Sequence, residues 1–193
     1  MPRVTALHAE RGGRVRVELD GEPWRTIPAG AVVAAGMMVG VEVDRPRARE
    51  LRRAMRRSNA LKVATRALAS SDRSVADLAG HLQRRGVAGP ERDEALDALS
   101  RLGYVDDNRF AAERAALLAR RGYGDEAIRF DLARRGIEED QIAAAIEQLD
   151  AEADRARAAV PAGTLPDAKT LRRLAAKGFS SESLEVVFGL LEP

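Results

Sequence analysis

"LARRGI" (Leu132–Ile137) has a near copy, "LQRRGV", starting at Leu82, and a looser one, "LAAKGF", starting at Leu174. Each is a leucine, two residues, a base, a glycine and an apolar residue. That is how a helix ends. The leucine belongs to the apolar stripe, and the base sits in the last turn, where the negative end of the helix dipole favours a cation. The glycine takes the left-handed conformation that closes the helix. The apolar residue after it turns the chain back into the core. Beyond each glycine the same stripe recurs. Ile142, Ile146 and Leu149 lie 6, 10 and 13 residues past Gly136, and Leu184, Phe188 and Leu191 lie at the same distances past Gly178. Leu96 and Leu99 lie 10 and 13 past Gly86. The spacing predicts a unit of three helices, about 45 residues long, present three times and stacked in an elongated array, because each unit of such a repeat touches mainly its neighbours.

Working outward, the helical pattern begins near Pro46, a residue suited to a first helical position. "RARELRRAMRR" follows, then "SNALKVATRALASS". Ser74 opens the capping-box pattern "SVAD". "GPERDEALDALSRLG" closes at Gly103, "DDNRFAAERAALLARRG" starts from an Asp106 cap, and "GDEAIRFDLARRG" and "EEDQIAAAIEQL" complete the middle unit. A loop with Pro161 and Pro166 precedes "DAKTLRRLAAKG" and "SSESLEVVFGLL". Residues 1–45 read differently. "RVRVEL" (Arg14–Leu19) alternates as a half-buried strand does. "ERGGR" is a turn after a first strand near Val4–Ala9, "GEPW" reads as a second turn, "AGAVVAAG" as a short helix and "VGVEV" as a further strand. Trp24 is expected to plug this head. The predicted fold is mainly α, with a small β-rich N-terminal domain (1–45), a basic helix and first repeat (46–103), a second repeat (104–150) and a third (151–193).

Hydrophobic residues make up 45 % of the chain and charged residues 32 %, which supplies a core. Aromatics are only 4 %, and the alanine, leucine and arginine content favours helix. There is no cysteine, so disulfides and thiolate zinc sites are excluded and a reducing cytoplasm is expected. The start of the chain carries Arg3, His8, Glu10 and Arg11 in place of the apolar core of a signal peptide. The uncharged run Ile27–Val41 is about fifteen residues, short of the roughly 20 that cross a bilayer, and reads as buried protein. Net charge is only +2, but residues 45–90 hold 12 bases and 3 acids, whereas residues 91–193 hold 15 bases and 21 acids. Such asymmetry points to an anionic partner for the middle of the chain. The competing explanation is a GC-rich genome, since 29 of the 32 bases are arginine.

The run Leu99–Ile146, "LSRLGYVDDNRFAAERAALLARRGYGDEAIRFDLARRGIEEDQIAAAI", resembles the RecX family of regulatory proteins of the RecA recombinase. It keeps that family's leucine helix, "GY.DD.RFA", an arginine helix ending in "RG.G...I...L...GI", and a closing helix. The resemblance extends over roughly residues 58–191; residues 1–45 carry less of it, and no function is transferred to them. It implies a non-enzymatic protein of DNA repair, recombination and the SOS response, and the cytoplasmic chain is expected to be a monomer. Such a protein binds the RecA–DNA filament along its groove, touches single- and double-stranded DNA without sequence preference, and modulates the filament's ATPase and strand exchange, usually by inhibition. The alternative is a stand-alone DNA-binding regulator that uses a three-helix unit as a helix-turn-helix reader.

Catalytic, cofactor and metal sites are not expected. "GTLPDAKT" (Gly163–Thr170) fails as a phosphate loop, because Ala168 stands where glycine is needed and no apolar strand precedes it. Asp106–Asp107 opens a helix after "GYV" and reads as a cap and dipole partner. His81, beside core-like Leu82, is expected to be partly exposed, and His8 has no companion ligands. Tyr104, Phe110 and Tyr123 are suited to stacking on bases; their place beside leucines at helix boundaries favours packing. The stronger signal is basic. Arg49, Arg52, Arg53, Arg56 and Arg57 fall at i, i+3, i+4, i+7 and i+8, all on one helical face, with Leu51 and Met55 on another. Like charges at this spacing repel, and DNA phosphate or an acidic protein surface would relieve them; the alternative is a solvated face. The pairs Arg84–Arg85, Arg120–Arg121 and Arg134–Arg135 recur with the repeat and extend the basic track if the units stack. Replacing Arg52, Arg53, Arg56 and Arg57 by glutamine is expected to leave folding intact.

Overall fold

The computed structural model describes residues 1–160 and 167–189. The elements run β1 (Val4–Glu10), β2 (Arg14–Leu19), β3 (Glu22–Pro28), α1 (Ala29–Ala34), α2 (Arg45–Ser70), α3 (Val75–Arg84), α4 (Gly89–Arg101), α5 (Asp107–Arg120), α6 (Asp125–Ala133), α7 (Glu139–Glu147), α8 (Glu152–Ala158), α9 (Ala168–Ala176) and α10 (Ser181–Phe188). The chain is mainly helical with a small antiparallel sheet at its start, as the sequence pattern predicts. Two compact units divide it: residues 1–71 with 78–102, and residues 72–77 with those from 103 onward. The loop prolines Pro161 and Pro166, and part of "GTLPDAKT", lie outside the described residues.

In the first unit the sheet is a meander, β1–β2–β3. Four of the expected features differ. The second turn is Asp20–Gly21, not "GEPW": both residues have positive φ, 51° and 86°, the conformation of a two-residue hairpin turn. Glu22–Pro28 is therefore a strand, and Pro23 is tolerated because β3 is an edge strand with a register irregularity opposite it. Conversely, "VGVEV" is not a strand. Gly40 turns the chain at φ 88°, and only an isolated Arg3–Glu42 bridge forms, flanked by Val4 N–H to Val41 O (2.9 Å) and Val43 N–H to Pro2 O (2.8 Å). The cap of α2 follows at once, leaving no length for more. Trp24 does not plug the head. It is 43 % exposed, and the Arg25 guanidinium lies 5.4 Å from its ring centroid. The uncharged run is only partly buried: Ile27, Ala31, Val32, Ala35 and Met37 are inside, while Val33, Met38 and Val39 face out.

The core of the head contains Val4, Val17, Ile27, Ala31, Val32 and Met37, and it is completed by Leu51, with Ala54 and Met55 packed against it. The apolar stripe of α2 thus docks on the sheet and leaves its arginine face outside. The two segments read from the sequence are one helix of 26 residues. Asp44 caps it, accepting from Arg47 N–H at 2.8 Å. Pro46 is its second residue, still in the turn where a missing N–H costs nothing. Alongside α2 packs α4.

In the second unit α5, α6 and α7 enclose Ala111, Ala115, Leu118, Ile128, Leu132, Ile137, Ile142 and Ala145. The shorter α8, α9 and α10 enclose Ala156, Leu174, Phe179 and Leu184. Asp106 caps α5, accepting from Asn108 and Arg109 N–H, and Ser74 caps α3, accepting from Asp77 N–H at 3.0 Å. The reciprocal half of that capping box is not made, because the Asp77 carboxylate accepts from Arg135 (2.8 Å) instead.

Consecutive repeats are joined twice in the same way. Ser74 donates its hydroxyl to the carbonyl of Arg135 (2.7 Å), and the amide at the equivalent cap, Gly124, donates to the carbonyl of Lys177 (2.9 Å). Each acceptor is the residue before a left-handed glycine, Gly136 or Gly178. The next amide also finds an equivalent partner. Val75 N–H donates to Asp107 (2.9 Å), and Asp125 N–H donates to Glu152 (2.7 Å). Each of these carboxylates is the first residue of the following repeat's first helix. Burial raises the Asp107 carboxyl above its ordinary range, against the opposing bond from Val75. At Glu152 burial also pushes upward, but bonds from Ser180, Ser183 and the Asp125 amide together bring the carboxyl below its ordinary range.

The close approach fixes glycine at both joints. A Cβ on Gly136 would stand 2.5 Å from Ala76 Cβ, and one on Gly178 would stand 2.5 Å from Ala127 N. Around Gly86, also left-handed, nothing lies within 4 Å. Gly136→Val is therefore expected to destabilise the second unit by about 2 kcal/mol or more, through backbone strain and collision together, and Gly86→Ala by only about 1 kcal/mol. Thermal melts of the two variants check the order; equal losses would mean the joint is not tightly packed.

Asp131 anchors the same region. Arg114 grips it with two bonds (2.8 and 3.0 Å) and Arg135 adds a third (2.9 Å). The Arg114 bond, aided by Arg135, holds the carboxyl below its usual range despite partial burial. Because its folded value lies below the unfolded one, near 3.9, this stabilisation is full above that value and is lost as pH falls toward the folded value. Asp131→Asn is expected to cost about 1–3 kcal/mol at pH 7, with the gap to wild type narrowing by pH 3. Melting curves at the two pH values read this directly.

Candidate nucleic-acid interface

The arginine face of α2 is exposed as the spacing requires, but it is not a row of unmatched cations. Two carboxylates of α4 reach across to it. Arg56 Nε bonds to Glu91 Oε1 at 2.5 Å, and Glu91 is only 6 % exposed. Glu94 lies between Arg53, to which it is hydrogen-bonded, and Arg57, whose Nε is 3.8 Å from its second oxygen. The bond from Arg56 holds the Glu91 carboxyl below its usual range, and the bond to Glu94 raises the Arg53 guanidinium further. Much of the repulsion that the sequence spacing implies is thus relieved inside the protein. Among the described residues Arg49 and Arg52 have no carboxylate within ion-pair distance; Arg52 donates to the Ala48 carbonyl (3.0 Å).

A groove of about 480 Å³ opens along this face. Glu50, Arg53, Arg57, Ser58 and Leu61 of α2 line one side, with Gly30 and Ala34 of α1 and with Glu94. Arg84 and Arg85, also of the first unit, are exposed at the end of α3. In the second unit Arg120, Arg121 and Arg134 are exposed. Arg135 differs. It bonds to Asp77 and Asp131 and stands 6.0 Å from the Phe110 ring centroid. Its guanidinium is part of the joint between repeats.

The tyrosines correct the packing expectation. Tyr104 is 64 % exposed and Tyr123 38 %. Each directly follows a left-handed glycine, but at the first position the next residue, Val105, takes the buried place, and at the second Tyr123 lies under Lys177 Nζ, 5.7 Å from the centroid. Phe110 does pack against the middle core. Phe130 on α6 is exposed as well. His81 is half-buried, and His8 Nε2 lies 3.1 Å from Glu18. Glu91 and Glu94 were not singled out by sequence. Their signal was present, two acids three apart in "ERDE" against arginines three apart in α2, but only the packing of α4 on α2 brings the two sets together.

A family model described as "RecX, second three-helix domain" matches residues 106–146, from the Asp106 cap of α5 through all but the last residue of α7. The regulatory protein RecX of Acidithiobacillus ferrooxidans is 32 % identical over 136 residues, 69 % of this chain and 91 % of that protein. The chain belongs to the RecX family. The regulatory proteins RecX of Mycobacterium ulcerans and Mycobacterium marinum are each 36 % identical over 104 residues, and the match spans 60 % of their length. A crystal structure of a regulatory protein RecX superposes with a TM-score of 0.84 over 97 % of this chain and 98 % of that one at 21 % identity, so the RecX fold extends over the β head as well. No helix among the described residues is long and apolar enough to cross a membrane.

Because Arg56 neutralises a nearly buried carboxylate, replacing it strands that group. Of the four stripe arginines expected to be replaceable with folding intact, Arg56 is therefore the one whose loss is expected to cost stability. Arg56→Gln is expected to lower the melting midpoint, and Arg52→Gln, on the open face, to leave it within a degree or so of wild type. Equal midpoints for both variants would show that the Glu91 contact contributes nothing.

Proposed function

We propose that this chain is a non-enzymatic cytoplasmic regulator, most naturally an inhibitor, of a RecA-type recombinase. It acts as a monomer on the recombinase–DNA filament. The observation that carries the reading is family membership over most of the chain, at 32 % identity to a protein named as a regulator. The exposed arginines give the reading its chemistry. Arg49, Arg52, Arg53 and Arg57, with Arg84, Arg85, Arg120, Arg121 and Arg134, supply fork-shaped donors suited to phosphate. Arg56 is held by Glu91, and Arg135 serves the fold.

In this mechanism the helical repeats lie in the filament groove. Basic faces meet DNA phosphate, and acidic faces meet basic recombinase surface. Bridging adjacent recombinase subunits restricts the motions accompanying ATP turnover and obstructs entry of a second duplex. Within the second unit, hydrogen bonds from Ser74, Val75, Gly124 and Asp125 hold consecutive repeats together.

The purified protein is expected to hydrolyse no ATP by itself, yet to slow a recombinase's DNA-dependent ATPase at substoichiometric amounts. Intrinsic turnover, or an unaffected filament, would sink the proposal. Replacing Arg49, Arg52, Arg53 and Arg57 together by glutamine, sparing Arg56, is expected to weaken binding to bare DNA across sequences. Each lost phosphate contact should flatten the log–log salt dependence by about 0.7 to 0.9. Strong preference for one DNA sequence without recombinase would favour a stand-alone helix-turn-helix regulator instead.

A further inference from the structure

We infer that Glu94 is a displaceable internal occupant of an anion site on α2, holding the place that a nucleic-acid phosphodiester takes between Arg53 and Arg57. The inference rests on the DNA-phosphate reading above and deepens it by naming the site and its competitor.

The two acids of α4 are not equivalent. Glu91 is nearly buried and bonded to Arg56. Releasing it would leave an unmatched carboxylate inside the α2–α4 contact, so it is a fixed counter-ion. The Glu94 side chain is 30 % exposed, and its two arginine partners are 58 % and 51 % exposed. It stands at the wall of the groove lined by Glu50, Arg53, Arg57 and Ser58. A carboxylate there can rotate into water and be rehydrated, which is why ion pairs of this exposure contribute little to stability. A phosphodiester has the same charge, and its two free oxygens match two guanidinium forks. Arg53 and Arg57 are one helical turn apart on the same face, already ordered by Glu94 and ready to receive such a group. The arginines would be preorganised by the acid that their ligand replaces, and binding would exchange one anion for another. An anion that reaches both arginines and Ser58 from the groove gains a hydroxyl donor.

The test uses the full chain and fluorescein-labelled oligodeoxythymidine as the probe, with melting midpoints confirming that each variant is folded. Glu94→Gln is expected to raise affinity about 3- to 10-fold and to steepen the salt dependence by about 0.7 to 0.9, one contact's worth. Asp97→Asn, the same change of net charge on the same helix, is expected to do neither. In the Arg53→Gln/Arg57→Gln background, Glu94→Gln should have no further effect, as a double-mutant cycle requires of residues that act through one another. Equal gains for Glu94→Gln and Asp97→Asn would reduce the effect to overall charge and overturn the inference. So would a gain that survives loss of both arginines, or one seen only on recombinase-coated DNA. If the arginine variant loses binding while Glu94→Gln matches wild type, the displacement idea is overturned and the phosphate reading stands. If neither change alters binding, the phosphate reading fails, and the inference with it.

Discussion

A helix begins with amide groups that its own hydrogen bonding cannot satisfy and ends with carbonyls in the same position. In the second unit each set answers the other across a repeat boundary. The carbonyl before a left-handed glycine accepts from the cap of the preceding repeat's middle helix, and a carboxylate at the start of the next repeat accepts from the amide after it. Every one of these bonds has a backbone atom on at least one side, with Ser74, Asp107 and Glu152 supplying the side-chain partners. Both joints demand glycine, because the chains come so close that a Cβ at 136 or 178 would collide with its neighbour. The turn that ends a helix is in this way also the socket for another helix.

This double use explains why the closing glycines differ in sensitivity. At Gly86 the left-handed backbone is the whole requirement. At Gly136 the same backbone is wedged against Ala76 and braced by Arg135, whose guanidinium ties Asp77 to Asp131. The "RRG" copies look alike in sequence, yet their second arginines have separate fates. Arg85 is exposed and Arg135 is enclosed in an ion-pair cluster.

The charge pattern is resolved in a similar manner. A chain with 32 bases and 30 acids can place its excess cations on one helix and still fold, provided acids from another element reach part of that helix. Glu91 and Glu94 do this for α2. The outcome is graded: a locked guanidinium at Arg56, a shared and exposed pair at Arg53 and Arg57, and an open stretch at Arg49 and Arg52. The acids of α4 thereby offset part of the like-charge repulsion along the helix that carries the arginines.

The sequence by itself determined what depends on local backbone rules: the helix periods, the caps at Ser74 and Asp106, and the left-handed glycines at 86, 136 and 178. It also determined the family, through one ordered run of nearly fifty residues. The positive φ at Asp20–Gly21 was written there too, although "GEPW" drew the turn two residues late and β3 was missed as a result. What only the tertiary structure decided is which charges and rings meet. Nothing local to Arg56 says that a carboxylate 35 residues away will be buried against it. Nothing local to Trp24, Tyr104 or Tyr123 says that each will face solvent. A helix fixes the direction of a side chain relative to its own axis; whether that direction holds water, an acid or a core is set by the element packed beside it.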